Sequence, residues 1–324
     1  MGFCYEERMF LMKLALIDLG SNSARMYLLT LGADAKLSLS SKRRVMTRLS
    51  EGMEKDGCLQ PLPMARTCGV LKTFAEEIHR TGAYTLAVAT AAVRKAKNRE
   101  EFLQKVENEA GIHLTVISGE LEAFFDFQGV MAGLPDLNHC LICDTGGGST
   151  ELILVKDRIM KAKISLPFGA MTLTDTYGQK LEQAEESLIQ QFTEVSFLPE
   201  AEGLPLVGIG GSVCALCGID QHLQKITKPK DVHGYSINPR RVRELYNIFS
   251  PLSPMERTQK GVEQGRADTV CAGFLPSMLL MEKLHAPNLI LCTGGLREGI
   301  WAELEREHPE YYLSHPELFL EKYV

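Results

Sequence analysis

Two segments of this chain share one residue pattern, and this internal repeat is the feature that most constrains the fold. The first segment is Leu16–Leu29 and the second is Ile142–Val155. Each has an apolar stretch, an aspartate, any residue, a glycine, two residues, a serine, two residues and a second apolar stretch. The matched residues are Asp18 with Asp144, Gly20 with Gly146, and Ser23 with Ser149. One supersecondary unit used twice predicts two related halves, each beginning with a β-hairpin.

Each hairpin turn contains glycine, which suits the binding of an anion, and follows an aspartate, which suits the binding of a cation. Glycine allows a positive φ, and its bare backbone lets N–H groups approach a phosphate. An aspartate at the end of the strand can hold a divalent cation that neutralises the anion. We therefore expect Asp18, Asp144 and, in the second hairpin, Glu151 to be metal ligands. A single glycine turn is equally often a simple connection between two strands. Two matched copies favour anion binding instead, and we expect the two turns to face each other across a cleft.

Two further glycine turns lead from a predicted strand into a predicted helix. They lie in Leu206–Ser212 and Leu289–Gly295. The N-terminus of a helix presents free N–H groups and a positive dipole end, so both turns are candidates for phosphate binding. In the first turn we expect Gly210, Gly211 and Ser212 to contact phosphate. Neither turn is a Walker A loop, because the Gly-Lys-Ser/Thr ending is absent.

The hydrophobic periodicity predicts strands and helices in the same order in both halves. Strands are predicted at residues 13–17, 25–31, 36–40, 43–48, 84–89, 113–117, 140–143, 151–155 and 159–166, and helices at 63–80 and 121–131. Three strands followed by alternating helix and strand, twice over, are typical of an α/β protein with two lobes. Residues 13–128 are predicted to form lobe I, with a helix at 300–324 packing back on it, and residues 129–299 to form lobe II. Residues 1–12 are predicted to be a frayed extension.

Composition excludes several classes of protein. The chain has 35 Lys and Arg against 41 Asp and Glu, for a formal net charge of −6, with 45% apolar and 23% charged residues. These values are ordinary for a soluble globular protein. No run reaches the ~18 apolar residues that span a membrane, and Glu6 and Glu7 stand where a secretory signal would be basic. The 9 cysteines, an odd number in apolar stretches, indicate reduced thiols, so we expect a cytoplasmic protein.

Seven segments of the chain together resemble a known family. They run in family order over most of the chain and are Asp18–Arg25, Ala89–Arg94, Ser118–Ala123, Asp144–Glu151, Leu166–Ala170, Gly208–Ser212 and Thr293–Gly295. By these motifs the chain resembles the exopolyphosphatase / guanosine-pentaphosphate phosphatase (Ppx/GppA) family, within the superfamily of actin, sugar kinases and heat-shock chaperone ATPases. The resemblance implies an α/β fold of two actin-like (ribonuclease-H-like) lobes with an active-site cleft between them.

The resemblance also implies a reaction and the residues that perform it. The expected activity is release of the terminal phosphate of inorganic polyphosphate and/or guanosine pentaphosphate by metal-assisted attack of water, with Mg²⁺ as the cofactor. Glu122 matches the family's catalytic glutamate, which orients or deprotonates the water. Arg94, at the end of a predicted strand, offers a fork for bidentate phosphate contact. The residues of the hairpin turns expected to bind phosphate are Gly20, Ser21, Asn22, Ser23 and Arg25, with Gly146, Gly147, Gly148 and Ser149.

The expected ligand is thus polyphosphate or guanosine pentaphosphate, with no membrane or nucleic-acid partner, and the expected assembly is a homodimer. Two alternatives stay open at this point. One is an ATP-dependent kinase or ATPase of the same superfamily, and the other is a non-catalytic module that binds the alarmone or polyphosphate. Clustered basic residues, Arg240, Arg241 and Arg243 among them, form either an ordinary solvated face or a path for a polyanion.

Overall fold

The computed structural model describes residues 12–178, 180–226, 232–307 and 309–323. The predicted N-terminal extension therefore lies outside the described residues, except for Met12. The chain divides into two compact units, of which the first extends to Leu121 and resumes at Arg297, and the second is Glu122–Leu296. The predicted domain limits at 128/129 and 299/300 stay predictions.

Strands and helices alternate along most of the described chain. The strands are β1 (Lys13–Leu19), β2 (Ser23–Leu31), β3 (Leu37–Met46), β4 (Tyr84–Ala89), β5 (Thr115–Val116), β6 (Cys140–Thr145), β7 (Thr150–Lys156), β8 (Ile159–Leu166), β9 (Leu206–Ile209), β10 (Ser236–Ile237) and β11 (Leu289–Leu291). The α-helices are α1 (Pro61–Thr81), α2 (Ala91–Lys95), α3 (Arg99–Ala110), α4 (Gly119–Gly133), α5 (Ala170–Tyr177), α6 (Leu181–Thr193), α7 (Gly210–Leu223), α8 (Pro239–Phe249), α9 (Pro254–Gln259), α10 (Val270–Lys283), α11 (Leu296–Arg306), α12 (Pro309–Ser314) and α13 (Pro316–Glu321). Short 3₁₀ turns occur at Met53–Lys55, Leu198–Ala201 and Gln264–Arg266.

Each unit is built on one mixed sheet, and the two sheets share a topology. The strand order is β3-β2-β1-β4-β5 in the first and β10-β11-β9-β6-β7-β8 in the second. In both, a three-stranded antiparallel meander is followed by a strand parallel to its first member, β4 beside β1 and β9 beside β6. The predicted α/β class and the twofold use of one unit are confirmed.

The core of the first unit lies between its sheet and α1 and α3. Most buried residues of α1 recur at intervals of three or four, the spacing of one helix face, and the buried set is Pro63, Met64, Thr67, Cys68, Leu71, Phe74 and Ile78. They pack with apolar residues of β1 and β2, such as Ile17 and Met26. The helix ends at Gly82, whose φ of 64° is the left-handed conformation that glycine adopts most readily. The sheet is thereby held from one side along the strands that lead to the first repeat turn.

Strand β6 of the second unit is buried on both faces. Leu141 and Cys143 belong to the core that includes α7 and α10. Cys140 and Ile142 pack on the opposite face, in a cluster that includes Val130 of α4. Neighbouring side chains of a strand point to opposite faces of the sheet. A strand that is covered on both faces therefore has apolar residues at successive positions in its sequence. This packing holds the strand that ends at Asp144.

Two details of the sequence prediction need correction or comment. The strands predicted at 36–40 and 43–48 are one strand, β3, which pairs with β2 along its length and has a register shift opposite Leu28 and Leu29. The run of polar residues in its middle is no break, because β3 is an edge strand with most side chains exposed to solvent. The strands predicted at 84–89 and 159–166 are confirmed with the same bounds.

The arginines considered as a polyanion path are engaged in ion pairs. Arg240 contacts Glu244, and Arg243 contacts Glu282. Arg241 donates to the buried carboxylate of Asp220 at 2.6 Å. Because each guanidinium already faces a carboxylate, this cluster offers little uncompensated charge to a polyanion.

Among the residues that the structure describes, no helix is long and apolar enough to cross a membrane.

Candidate active site

The first repeat turn joins β1 to β2. The Gly20 N–H donates to the carbonyl of Ser23 at 3.1 Å and closes the turn. From the segment after β3, the Ser50 N–H donates to the carbonyl of Ser21, also at 3.1 Å. In a planar trans peptide the carbonyl and the N–H of the next residue point in opposite directions. The N–H of Asn22 therefore points away from the segment that holds the turn.

The second repeat turn, between β6 and β7, has the same construction. The Gly146 N–H donates to the carbonyl of Ser149 at 3.0 Å. The first two N–H groups of α5 donate to the carbonyls of Gly146 and Gly147, at 2.9 and 2.8 Å. The N–H groups of Gly147 and Gly148 consequently point away from α5. Both N–H groups are therefore directed to the side of the turn opposite α5, and they are candidates for anion binding.

The glycines of these turns do not adopt a left-handed backbone conformation. None of Gly20, Gly146, Gly147 and Gly148 has a positive φ, so that expectation is wrong. The contact with α5 shows what the backbone needs instead. A Cβ added to Gly169, just before α5, would lie 2.6 Å from the carbonyl carbon of Gly147. Gly169, in the Leu166–Ala170 motif, and the glycine turn thus approach each other backbone to backbone.

Three carboxylates of the second unit lie close enough to interact electrostatically. Asp144 at the end of β6 is the cross-strand partner of Glu151 at the start of β7. Glu151 is buried, and its carboxylate accepts a hydrogen bond from the Ser165 hydroxyl at 2.7 Å. Burial, followed by the negative charges of Glu122 and Asp144, raises the pKa of Glu151 well above its ordinary value. The cluster therefore favours any cation that can neutralise it.

The glycine turn before α7 lies against this carboxylate cluster. Gly210 has a φ of 88°, and a Cβ at this position would lie 2.8 Å from Oδ1 of Asp144. Glycine is required here both for the left-handed backbone and for the approach of the carboxylate. A buried guanidinium, that of Arg266, covers the backbone of Gly211, and Glu263 contacts it at 3.3 Å. The start of α7 thus has a cation beside it, which adds to the positive end of the helix dipole.

Ser212, the third residue expected at this turn, is buried. Its hydroxyl lies where a side chain of Gly273 in α10 would stand. The side chain therefore packs between α7 and α10, and only the backbone of Ser212 remains at the N-terminus of α7.

In the first unit, the carboxylate of Asp18 is held by an arginine that the sequence pattern did not single out. Arg297, at the start of α11, donates to Oδ2 of Asp18 at 2.5 Å, and both side chains are nearly buried. The guanidinium also stacks on the ring of Tyr27, 4.9 Å from its centroid, and the Tyr27 hydroxyl donates to Glu298. Burial lowers the pKa of Arg297, but the charges of Asp18 and Glu298 outweigh burial and raise it overall. The carboxylate of Asp18 thus lies in an ion pair inside the first unit.

The two residues expected to be catalytic have distinct settings. Arg94 lies in α2, directly after β4, and donates to the carbonyl of Ile117 at 2.9 Å. Glu122 is half-buried in the first turns of α4, whereas its neighbour Glu120 is exposed. The Ser118 hydroxyl accepts from the N–H of Leu121 at 3.1 Å and caps the helix that carries both glutamates.

The structure brings the predicted residues together in two groups. Glu122, Asp144, Glu151, the Gly146–Ser149 turn and Gly210 form one group in the second unit. The first unit holds Asp18 and the Gly20–Ser23 turn after β1, with Arg94 after the parallel strand β4. That the two groups face each other across a cleft stays a prediction. Arg266 and Arg297 were missed, because each is a single arginine without a spacing that sets it apart from surface arginines.

Comparison with known proteins gives a family for this arrangement. A model of the Ppx/GppA phosphatase family matches residues 32–308, which is most of the chain. The chain belongs to the Ppx/GppA phosphatase family. The Aquifex aeolicus member of the Ppx/GppA protein family, known from its crystal structure, is 30% identical and has a TM-score of 0.73, covering 92% of this chain and 99% of that one. The predicted resemblance is confirmed.

Two more relatives can be compared with this Ppx/GppA family member by sequence identity and coverage. A guanosine-5'-triphosphate,3'-diphosphate pyrophosphatase of Vibrio vulnificus (strain YJ016) is 29% identical over 298 residues, which is 90% of this chain and 59% of that protein. The chain thus spans about three fifths of the length of that curated relative. An exopolyphosphatase from Cytophaga hutchinsonii is 22% identical, with a TM-score of 0.80 over 91% of this chain and 98% of that one. At that identity, the similarity shows the shared fold alone.

Proposed function

We propose that this chain is a phosphoanhydride hydrolase that releases the terminal phosphate of inorganic polyphosphate, of guanosine pentaphosphate, or of both. The observation that carries the proposal is the carboxylate cluster of Glu122, Asp144 and Glu151 beside the backbone donors of the Gly146–Ser149 turn. Phosphoryl transfer to water requires charge neutralisation, in-line positioning and an oriented water, with little covalent chemistry. The cluster and the turn supply the groups for these tasks.

The donor set fits Mg²⁺. All the candidate ligands are carboxylate oxygens, which hard divalent cations prefer. The negative charges of Glu122 and Asp144 also act on the buried Glu151, so a positive charge there is favoured. Within the described part of the chain, no group of three or more His, Cys, Asp or Glu side chains is placed to enclose a metal. Magnesium commonly takes one or two carboxylates together with waters and substrate phosphate, so the pair Asp144 and Glu151 is sufficient. When bound, Mg²⁺ would neutralise phosphate oxygens and help to orient the substrate.

We assign the remaining roles to individual groups as part of the same proposal. The N–H groups of Gly147 and Gly148 bind the oxygens of the terminal phosphate, and the N–H of Asn22 is the equivalent donor of the first turn. Glu122 orients the attacking water and accepts its proton. Arg94 and Arg266 are the guanidinium groups that contact the phosphate chain. Asp18, initially grouped with the metal ligands, has its charge met by Arg297, so its contribution to a metal site is the weakest of the three.

The proposal extends to surroundings and assembly. The eight cysteines among the described residues are free thiols, mostly buried, as is usual in a reducing compartment such as the cytoplasm. A homodimer remains the proposed assembly, to be measured by sedimentation.

One experiment separates this proposal from its alternatives. Phosphate release is measured side by side with polyphosphate, guanosine pentaphosphate and ATP, each with Mg²⁺ and with excess chelator. We expect metal-dependent release from at least one of the first two substrates and much slower release from ATP. Preferential consumption of ATP would indicate a kinase or ATPase, and tight binding without release would indicate a non-catalytic module. Release that persists undiminished in excess chelator would contradict the role given to Mg²⁺.

A further inference from the structure

His233 joins two backbone segments of the second unit. The N–H of Thr293 donates to Nδ1 of His233 at 3.1 Å, and the Thr293 hydroxyl lies at the same distance from that nitrogen. On the other side of the ring, Nε2 lies 2.9 Å from the carbonyl oxygen of Gly133. Gly133 is the last residue of α4, and Thr293 belongs to the turn between β11 and α11.

These two partners determine the protonation state of the imidazole. A backbone N–H can only donate and a backbone carbonyl can only accept. Nδ1 must therefore be the acceptor from Thr293, and Nε2 must carry the hydrogen that it donates to Gly133. The hydrogen-bond network thus assigns His233 as the neutral ring with its proton on Nε2.

The two segments that His233 joins meet backbone to backbone. Gly129 and Gly133 lie one helical turn apart on the same face of α4. A Cβ on Gly294 would lie 2.6 Å from the carbonyl oxygen of Gly129, and one on Gly133 would lie 3.2 Å from the sulfur of Cys292. Val130 and Met131 of α4 share a buried apolar cluster with Cys292, but the glycine contacts themselves have no side chains that interlock. A pair of directed hydrogen bonds, one to each segment, adds a specific constraint at this point.

Both segments lead to residues of the active site. Helix α4 carries Glu122 near its other end, about 16 Å away along the axis at 1.5 Å per residue. The turn runs directly into α11, where Arg297 holds the carboxylate of Asp18. A helix moves nearly as a rigid rod, so a shift at one end is transmitted to the other. Misplacement of a catalytic group by about 1 Å can cost 10²-fold in rate.

We propose that His233 is a positioning residue of this enzyme, which holds the end of α4 against the turn at Thr293 and thereby sets the place of the Glu122 carboxylate. The inference rests on the proposed function only in the role of Glu122. His233 itself contacts neither substrate nor metal in this account. The hydrogen bonds through Nδ1 and Nε2 are what the position requires, and an apolar side chain of similar size does not replace them.

The test compares substitutions at His233 with a matched control. His233→Ala should lower kcat by about 10–100-fold and leave KM nearly unchanged, because the substrate contacts are intact while the base is displaced. His233→Asn places an amide oxygen where Nδ1 stood, so it should restore much of kcat, and His233→Leu should not. The control is His139→Ala. Nδ1 of His139 also accepts a hydrogen bond from a backbone N–H, that of Asp157 at 3.2 Å, at the end of β7 away from the Gly146–Ser149 turn. That variant should keep kcat within twofold.

Two readouts are independent of turnover. Nitrogen-15 NMR of the ring should show a bare Nδ1 and a protonated Nε2 in the wild-type chain. In His233→Ala, exchange of the Thr293 amide and of the last amides of α4 should be faster by tenfold or more. Unchanged kcat and exchange in His233→Ala, equal losses in His139→Ala, or a ring protonated on Nδ1 would each overturn the role of His233. A wild-type chain without phosphatase activity contradicts the proposed function instead, and amide exchange then still decides the structural claim.

Discussion

Replacing Arg297 by methionine tests whether the buried ion pair with Asp18 stabilises the first unit. The two side chains are only 9% and 12% exposed, and the nitrogen and oxygen lie 2.5 Å apart. Methionine keeps much of the length of the side chain, so the stacking on Tyr27 is partly preserved while the charge is lost. A carboxylate left buried without its partner typically costs about 3–5 kcal/mol of unfolding free energy. We expect Arg297→Met to lose about that amount, and Asp18→Asn to lose a similar amount through the unpaired guanidinium.

The assay uses the one tryptophan of the chain. Trp301 lies in α11, one turn after Arg297, so its fluorescence during urea unfolding reports on the unit that contains the ion pair. The double variant Asp18→Asn/Arg297→Met should lose much less than the sum of the two single losses, because the second substitution removes a charge already unpaired. As a control in the same unit, Arg99→Met breaks an ion pair of 2.9 Å whose side chains are 51% and 78% exposed, and it should leave the unfolding midpoint unchanged. Strictly additive losses at the buried pair would refute the reasoning.

Three further predictions concern the carboxylate cluster and the turn beside it. Glu122→Gln should lower kcat by about 10²–10⁴-fold with little change in KM, while Glu120→Gln, exposed on the same helix, should be nearly silent in the same phosphate-release assay. The pKa of Glu151 is raised in the folded chain, so above about pH 4 the folded chain keeps a proton that the unfolded chain has released. With chelator present, the free energy of unfolding should therefore fall as the pH rises from about 4. Glu151→Gln should remove that fall, which urea unfolding at acidic and neutral pH measures, and an unchanged slope would contradict the buried-carboxylate account. Gly210→Ala should destabilise the chain by about 1–2 kcal/mol and weaken Mn²⁺ binding measured by electron paramagnetic resonance, whereas Gly218→Ala, in open space on the same helix, should be neutral or stabilising.

The internal repeat predicted the architecture because it encodes local structure twice. The alternation of apolar stretches with an Asp-x-Gly turn sets a hairpin, and hairpin register follows from the turn and from which strand face is apolar. The structure shows the outcome directly, with Asp18 opposite Arg25 and Asp144 opposite Glu151 at equivalent positions. The same argument failed for the middle of β3, where an edge strand exposed to water lacks the apolar pattern from which a strand is predicted.

By itself, then, the sequence determined the two sheets and the glycine turns between their strands, because these features depend on contacts between near neighbours. Only the tertiary structure decided which charges meet. It placed Arg297 on Asp18, 279 residues away, and it brought the charges of Glu122 and Asp144 to the buried Glu151. It also placed Arg266 on the start of α7 and His233 between α4 and the turn at Thr293. Coulomb and hydrogen-bond energies depend on the distance between groups in space and on their burial. For residues far apart in the chain, neither quantity produces a periodic pattern in the sequence.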